Sequence, residues 1–353
     1  MNPLIPIPDA IPVAWGWFEF LLLLTFPLHF VCMNMLLGFS GISLFARLRG
    51  DDTSRRLAFE LARVLPFLVA FTVNFGVAPL LFNQVLYGQF LYVSSILMGA
   101  FWLAVIPLLI FAYYAIYLYD FRFRSLGRCG ALFIGLALLA VLLIAFIFTN
   151  NMSLALDPLR WTAYFRNASG TLLNTGDPTL FPRFLHFAVG GFAIGALAVA
   201  VFARFWRQRD PQVAERASGI GMWMFTYLTM AQILLGMWFL MALPREIMLI
   251  FMGRNLLATG VFVVALALAL VVLVTGLRRQ VGWTAGLTFV LLFLMVVMRD
   301  LARIAYHAPF FRAESLQVIP QYSPMVMFFI VLAAGLACIA WMLWQVRASY
   351  KKA

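Results

Sequence analysis

Residues 181–200 read FPRFLHFAVGGFAIGALAVA and place one histidine near the start of an otherwise apolar stretch. His186, Gly190 and Ala193 recur at spacings of four and three, so in a helix they share one face. That face offers an imidazole followed by two residues with little or no side chain, which suits a flat macrocyclic cofactor. The same residues also suit close helix packing of the small-xxx-small kind, with the histidine hydrogen-bonded to a neighbour. The stretch predicts a membrane helix and leaves these two roles open.

The rest of the chain is as apolar as this stretch. Hydrophobic residues make up 65% and charged residues only 11% of the 353 positions, a composition typical of polytopic membrane proteins. Apolar runs of about 20 residues exclude the alternating pattern of a β-barrel. The predicted fold is therefore an all-α membrane bundle, a single domain over residues 1–353. We predict nine transmembrane helices, at residues 14–46, 57–86, 94–119, 128–149, 182–204, 218–243, 256–276, 282–306 and 323–346.

The basic residues predict how the chain is oriented. The formal net charge is +12, but sixteen of the 25 Lys and Arg fall in one alternate set of loops, which is typical of cytoplasmic loops. This placement predicts an N-terminus outside, a cytoplasmic C-terminus and an outer loop at residues 150–181. It argues against nucleic-acid binding and for a multi-pass membrane protein. The cytoplasmic set comprises Arg47, Arg49, Arg55, Arg56, Arg122, Arg124, Arg128, Arg204, Arg207, Arg209, Arg216, Arg278, Arg279, Arg347, Lys351 and Lys352.

A second histidine, His29, lies deep in the first predicted helix, within LHFVCMNMLLG. An imidazole in hydrocarbon is costly without a partner, and ionisable groups inside a membrane are functional candidates by default. The alternative is a structural histidine that is hydrogen-bonded to a neighbouring helix. His29 is thus a candidate cofactor ligand.

The eighth predicted helix ends in a polar stripe, MRDLARIAYH. Arg299, Arg303 and His307 recur in steps of four, with Asp300 beside them, at the predicted outer membrane face. The stripe is either a solvated helix end or a functional site. In a functional site the arginines would hold haem propionates or a quinone head group, while His307 would ligate iron or shuttle a proton.

The three histidines of the chain are all predicted to lie in the outer half of the membrane, where they can meet. Haem iron accepts histidine alone or with a second histidine or a methionine, whereas zinc more usually recruits cysteine or carboxylate as well. The pattern therefore predicts haem. The sequence has no CxxCH motif, so covalent attachment of haem is excluded.

Four segments occur in the order found in one known family: LHFVCMNMLLG, NFGVAPLLFNQVLYG, RFLHFAVGG and GRNLLATG. With nine predicted helices and an outer N-terminus, the chain resembles subunit I of the cytochrome bd-type quinol oxidases over nearly its whole length. The resemblance implies that His29 serves the high-spin haem site and that His186 ligates the low-spin haem b. It also implies that Arg254 is the family's arginine near the low-spin haem.

The chain departs from the family pattern at several positions. Leu256 matches the methionine ligand of the low-spin haem, so that haem would take Met252 or His307 instead, or be five-coordinate. The loop that binds quinol in the family, between the sixth and seventh helices, is very short here. We therefore expect a reduced haem complement. The family's glutamates of the oxygen site and its proton path match Val105, Tyr113 and Ile304.

The sequence and the resemblance together predict a haem-containing subunit of a bacterial respiratory complex that transfers electrons between quinol and a partner near the outer face. The alternatives are a divergent oxygen-reducing oxidase and a haem-free structural subunit. We expect one or more haem b groups, with a high-spin haem as an option, and quinol as substrate. Expected partners are a bd-like subunit II or paralogue and a c-type cytochrome or iron–sulfur subunit on the outer side.

The predicted site residues fall into three groups. The expected catalytic residues are His307 and Asp300, and the expected metal ligands are His29, His186 and His307. The expected cofactor-binding residues are His29, His186, Arg183, Arg254, Arg299, Arg303 and Gly190, on helices 14–46, 182–204, 256–276 and 282–306.

Overall fold

The computed structural model describes residues 4–350, which form a bundle of long apolar helices. The helices are α1 (Trp15–Arg49), α2 (Asp52–Ala62), α3 (Leu65–Leu97), α4 (Gly99–Phe121), α5 (Gly130–Ala155), α6 (Leu180–Trp206), α7 (Pro211–Ala242), α8 (Arg245–Leu249), α9 (Leu256–Leu277), α10 (Val281–His307) and α11 (Tyr322–Tyr350). Short 3₁₀ segments lie at Gly127–Cys129, Pro158–Phe165 and Ala313–Ser315, and a π-helical segment at Ile250–Arg254.

The predicted nine-helix membrane bundle is confirmed for the described part of the chain. Nine spans there are long and apolar enough to cross a membrane, with α2 and α3 counted as one. The short α2 begins where Asp51 accepts hydrogen bonds from the backbone N and the hydroxyl of Ser54, at 3.0 and 2.7 Å. These bonds hold the pKa of the Asp51 carboxyl below its ordinary value. The α5 helix continues to Ala155, which shortens the predicted 150–181 loop.

Consecutive long helices alternate in direction, so the bundle has two distinct ends. We call the end that carries residues 156–179 the loop end, and the end that carries Arg47 and Arg204 the arginine end. The helices α1, α6 and α9 run from the loop end to the arginine end, whereas α3, α7 and α10 run the opposite way. Lys351 and Lys352 of the predicted cytoplasmic set lie outside the described residues. The predicted orientation, with the loop end outside, stays a prediction.

The parallel helices α1 and α6 pack against each other at glycines. A Cβ added to Gly38 or Gly195 would overlap the backbone of the other helix. Farther along α6, a Cβ at Gly221 of α7 would lie 2.5 Å from the Ala196 carbonyl oxygen. Small residues therefore let α6 approach both neighbours closely. This confirms the helix-packing role of the small residues in residues 181–200.

At the loop end, side-chain amides hold the chain between α5 and α6 against the bundle. The Asn174 backbone N donates to Asn150 Oδ1 at 3.0 Å, and Asn174 Nδ2 donates to Ser153 Oγ at 3.1 Å. Trp161 Nε1 donates to the Leu154 carbonyl at 2.9 Å, which seats the indole against α5. These contacts make the loop a packed cover over the helix ends.

Candidate functional site

His29 of α1 lies against a gap in the side chains of α3. Its Nδ1 is 2.9 Å from the Thr72 carbonyl oxygen, which can only accept, so Nδ1 carries the proton. A neutral His29 therefore has its free lone pair on Nε2. A Cβ added to Gly76 would lie 2.9 Å from His29 Cε1, so glycine is needed there to admit the ring. Hydrogen bonding of one ring nitrogen to a carbonyl is typical of histidines that ligate a metal through the other.

His186 of α6 packs against α7, which also presents a glycine to the imidazole. A Cβ at Gly236 would lie 3.1 Å from His186 Cε1, so a glycine again lies beside the ring. Gln232 Nε2 donates to the His186 carbonyl oxygen at 2.6 Å. Gly190 gives this amide its space, since a Cβ there would lie 2.7 Å from Gln232 Nε2. His186 Nδ1 and Gln232 Oε1 are both buried without a hydrogen-bond partner.

The two histidines lie at the same depth in the bundle. His29 precedes Gly38 by nine residues in α1, and His186 precedes Gly195 by nine residues in the parallel α6. At the helical rise this places both about 14 Å from the glycine contact, toward the loop end. Their neighbours Phe30 and Phe187 have ring centroids 5.2 Å apart. Adjacent helices thus present two imidazoles at one level.

An arginine lies one turn nearer the loop end than each histidine. Arg183 precedes His186 by three residues and donates to Thr179 Oγ1 at 3.1 Å. The Arg299 guanidinium carbon lies 4.3 Å from the centroid of Phe26, which precedes His29 by three residues. Neither arginine makes an ion pair with any residue between 4 and 350. The charge of Arg299 interacts with those of Arg183, Asp300 and Glu19, and the charge of Arg183 with that of Asp177. Propionates beside the two guanidinium groups would add the direct ion pairs that both lack.

His307 does not join the other two histidines. Its ring packs on Phe90 and Tyr87, with centroids 4.1 and 5.4 Å away, and the residue is only 2% exposed. Tyr87 lies eleven residues from Gly76 along α3, so His307 sits about 16 Å closer to the loop end than His29. The expectation that all three histidines meet is therefore wrong in this structure. The sequence spacing predicted the depth of His307 only roughly, because the C-terminal turn of α10 extends into the aromatic cluster formed by Phe90 and Tyr87 at the loop end.

Arg303 is already paired within the protein. Its Nη2 donates to Glu19 Oε1 at 2.9 Å and also to Asp300 Oδ1, and its Nη1 donates to Asn83 Oδ1 at 3.1 Å. Its guanidinium carbon lies 4.2 Å from the centroid of the Tyr87 ring. These contacts join α1, α3 and α10 and use both terminal nitrogens of the guanidinium group, whereas Arg303 Nε is buried without a partner.

The remaining predicted residues lie toward the loop-end surface. Arg254 pairs with Glu246, and both side chains are more than half exposed. Leu256, at the position of the family's methionine ligand, is 90% exposed, and Met252 is exposed in the π-helical segment. No contact joins any of these residues to His186.

A cavity of about 310 Å³ opens at the loop end beside Arg183. Arg183 interacts there with Tyr306 of α10. The aspartates Asp157 and Asp177 also border the cavity, and Asp157 accepts a hydrogen bond from Arg160 Nε at 3.0 Å. The other lining residues are Ser153, Leu156, Pro178, Thr179, Ala242, Leu243 and Pro244.

The residues at the level of His29 and His186 fit haem better than a metal ion alone. Among residues 4–350, no cluster of three or more His, Cys, Asp or Glu is arranged to hold a metal ion. Each imidazole has a ring nitrogen that no side chain or carbonyl uses, and each faces a glycine. Arg183 and Arg299 add two cations without a direct ion pair among residues 4–350, and the two propionates of a haem would pair with them.

No family model matches the sequence, and no curated protein matches it. Among solved structures, the chain is similar to the bd oxidase from Geobacillus thermodenitrificans. The TM-score is 0.70 over 92% of this chain and 96% of the other chain, at 13% sequence identity.

The chain has the bd oxidase fold.

At 13% identity the similarity shows the fold alone. The role of each side chain must therefore be argued from its own contacts.

Several residues around the histidines are not among those predicted from the sequence. Gln232 and Glu19 are polar residues in apolar helices, and intramembrane polarity could have identified both as candidates. Gly76 interrupts the apolar run of the second predicted helix within NFGVAPLLFNQVLYG, and such breaks often line a cofactor. No sequence signal singles out the Thr72 carbonyl or the glycine at position 236, because their importance comes from which helices become neighbours.

Proposed function

We propose that the chain is a haem-bearing subunit of a respiratory membrane complex that transfers electrons between quinol and a partner near the outer face. The observation that carries this proposal is the pair of imidazoles at one depth, each beside a glycine and each with a free ring nitrogen. The bd oxidase fold supports a quinol-linked oxidoreductase role. It also supports a location in the bacterial inner membrane, and the distribution of basic residues favours the loop end outside.

In this proposal His29 and His186 hold haem b, and Arg183 and Arg299 bind its propionates. Bound haem supplies one-electron oxidation and reduction. The protein fixes the orientation of the His29 imidazole through the Thr72 carbonyl, and Gln232 anchors the backbone carbonyl of His186. Gly190 contributes by leaving space for Gln232. The glycines keep side chains away from both rings.

Quinol binding is assigned to the loop end. The 310 Å³ cavity has the size of a small-molecule site, and it combines donors on Arg183 and Tyr306 with acceptors on Asp157 and Asp177. Quinol oxidation releases protons, so acceptors near the outer face suit the reaction. Asp300 and His307 stay predicted proton acceptors. The prediction that Arg254 and Arg303 bind a cofactor has no part in this proposal, because both pair with carboxylates of the chain.

The proposal includes at least one further membrane subunit. Much of α11 is exposed along its length, and multi-subunit assembly agrees with the bd oxidase fold. The predicted c-type cytochrome or iron–sulfur partner has no support in this fold.

The test is a reduced-minus-oxidised optical spectrum of the purified complex, with pyridine haemochrome quantitation. We expect a b-type signal that falls in His186→Ala and in His29→Ala and is retained in His307→Phe, which keeps a flat ring in the aromatic cluster. A complex without haem in this chain would overturn the proposal and favour the structural subunit. A shift of the reduced spectrum by carbon monoxide, together with oxygen uptake, would favour the oxygen-reducing alternative.

A further inference from the structure

Two buried carboxyl groups, those of Glu19 and Asp300, meet at a single nitrogen of Arg303. Arg303 Nη2 donates to Glu19 Oε1 at 2.9 Å and also to Asp300 Oδ1. The two carboxyl groups thus share one donor, and the Glu19 carboxyl group also interacts directly with that of Asp300. The side chains of Glu19 and Asp300 are only 11% and 9% exposed. Water therefore cannot screen the repulsion between two carboxylates at this distance.

One carboxyl oxygen of this pair has no hydrogen-bond partner. Glu19 Oε1 is bound by Arg303, but Glu19 Oε2 is buried and has no partner. A buried carboxylate oxygen without a hydrogen bond is costly. A proton on one of the two carboxyl groups removes this cost, since the protonated group then donates to the other.

We propose that Glu19 and Asp300 form an acid pair that holds one proton between them at the loop end of α1 and α10. The site takes up a proton when one carboxylate becomes a carboxylic acid, and it returns to two carboxylates when that proton leaves. Arg303 holds the two groups together in both states and balances the charge of the singly protonated pair.

The charged and titratable groups around the pair come from α3, α10 and the segment that follows α10. Arg303 binds both members, and the aromatic ring of Tyr87 of α3 covers Arg303. Arg299 adds a second positive charge, which favours the doubly ionised state. Two effects oppose the doubly ionised state. One is the repulsion between the two carboxylates, and the other is the missing hydrogen bond at Glu19 Oε2. The remaining groups near Arg303 and Tyr87 are His307 of α10 and Glu314 of the following loop.

This pair gives the chain a proton acceptor that is distinct from the histidine level. Glu19 precedes His29 by ten residues in α1, so the pair lies about 15 Å nearer the loop end. The use of the pair to accept a proton from quinol rests on the proposed function. The binding of a proton by the pair is independent of the proposed function.

Infrared spectroscopy of the purified complex tests the proton site directly. A protonated carboxyl group gives a C=O band that shifts in D₂O, and we expect this band at neutral pH. It should be lost in Glu19→Gln and in Asp300→Asn, and retained in Glu314→Gln, which makes the same change at an exposed carboxylate. Absence of the band, or its persistence in both pair variants, would overturn the acid pair. If the pair variants do not fold, the native protein still decides, because the band must disappear as the pH is raised.

A second measurement separates the acid pair from the proposed function. Reduction of the complex by a short-chain quinol should change the amplitude of the band if the pair accepts a proton during turnover. A pH-sensitive band that quinol does not alter would confirm the proton site and overturn its role in quinol oxidation. Absence of the band in a complex that oxidises quinol would overturn the acid pair alone.

Discussion

Gly38 of α1 and Gly195 of α6 lie backbone against backbone, with no room for a methyl group on either glycine. The two helices are parallel, so this contact fixes the depth of one relative to the other. His29 and His186, each nine residues from the contact, are held at one level as a result. The contact thus sets the geometry of the candidate haem site from about 14 Å away.

We expect Gly195→Val to push α1 and α6 apart. Overpacking of a close helix contact costs about 1–3 kcal/mol, and the changed register should lower the haem content. Thermal unfolding in detergent, followed together with the haem spectrum, measures both effects. Gly286→Val serves as the control, because a Cβ at Gly286 meets nothing within 4 Å. Equal stability of the two variants would contradict the assigned role of the contact.

The helices could be predicted from the sequence because apolar length is a local property. The nine spans needed only runs of about 20 apolar residues, and the glycines of residues 181–200 indicated close packing. The contacts that orient the histidines could not be predicted. The carbonyl of Thr72 and the glycine at position 236 become relevant only when α3 and α7 are known to be neighbours of α1 and α6.

Gln232 is expected to hold His186 in position. Gln232→Leu removes the 2.6 Å hydrogen bond to the His186 carbonyl, a loss of about 1 kcal/mol of stability. Loss of this anchor between α7 and the backbone of α6 should also displace His186, and so shift the midpoint potential or lower the affinity for haem. Redox titration and haem quantitation measure these effects. Gln345→Leu makes the same change on the exposed α11 and should leave both quantities unaltered.

The two unpaired arginines should matter more for haem than Arg254 does. Arg183→Leu and Arg299→Leu each remove a cation that has no carboxylate partner among residues 4–350. We expect haem affinity to fall by about tenfold or more and the midpoint potential to decrease, because a nearby positive charge stabilises the reduced state. Arg254→Leu removes a cation of an exposed pair and should change neither. The proposed propionate site would be wrong if all three variants behaved alike.

The sequence spacing could not distinguish the roles of Arg299 and Arg303. Arg299 and Arg303 share one helix face, and the stripe alone gives no reason to separate them. The structure separates them because Glu19, nearly 300 positions away in sequence, pairs with Arg303 and leaves Arg299 over the Phe26 ring. Which of two equivalent arginines is free depends on long-range packing of α1 on α10.

His307 should contribute to stability through its packing rather than by binding iron. The ring is enclosed by Phe90 and Tyr87 and is 2% exposed, so His307→Ala would leave a cavity in the aromatic cluster. We expect a loss of about 2 kcal/mol or more, whereas His307→Phe, which fills the same space, should lose much less. Both variants should keep the full haem content, measured by pyridine haemochrome. Because His307→Phe also removes the titratable imidazole, slower quinol oxidation in this stable, haem-replete variant would assign His307 a role as proton acceptor. Loss of haem in His307→Phe would instead identify the residue as a ligand and require a rearranged loop end.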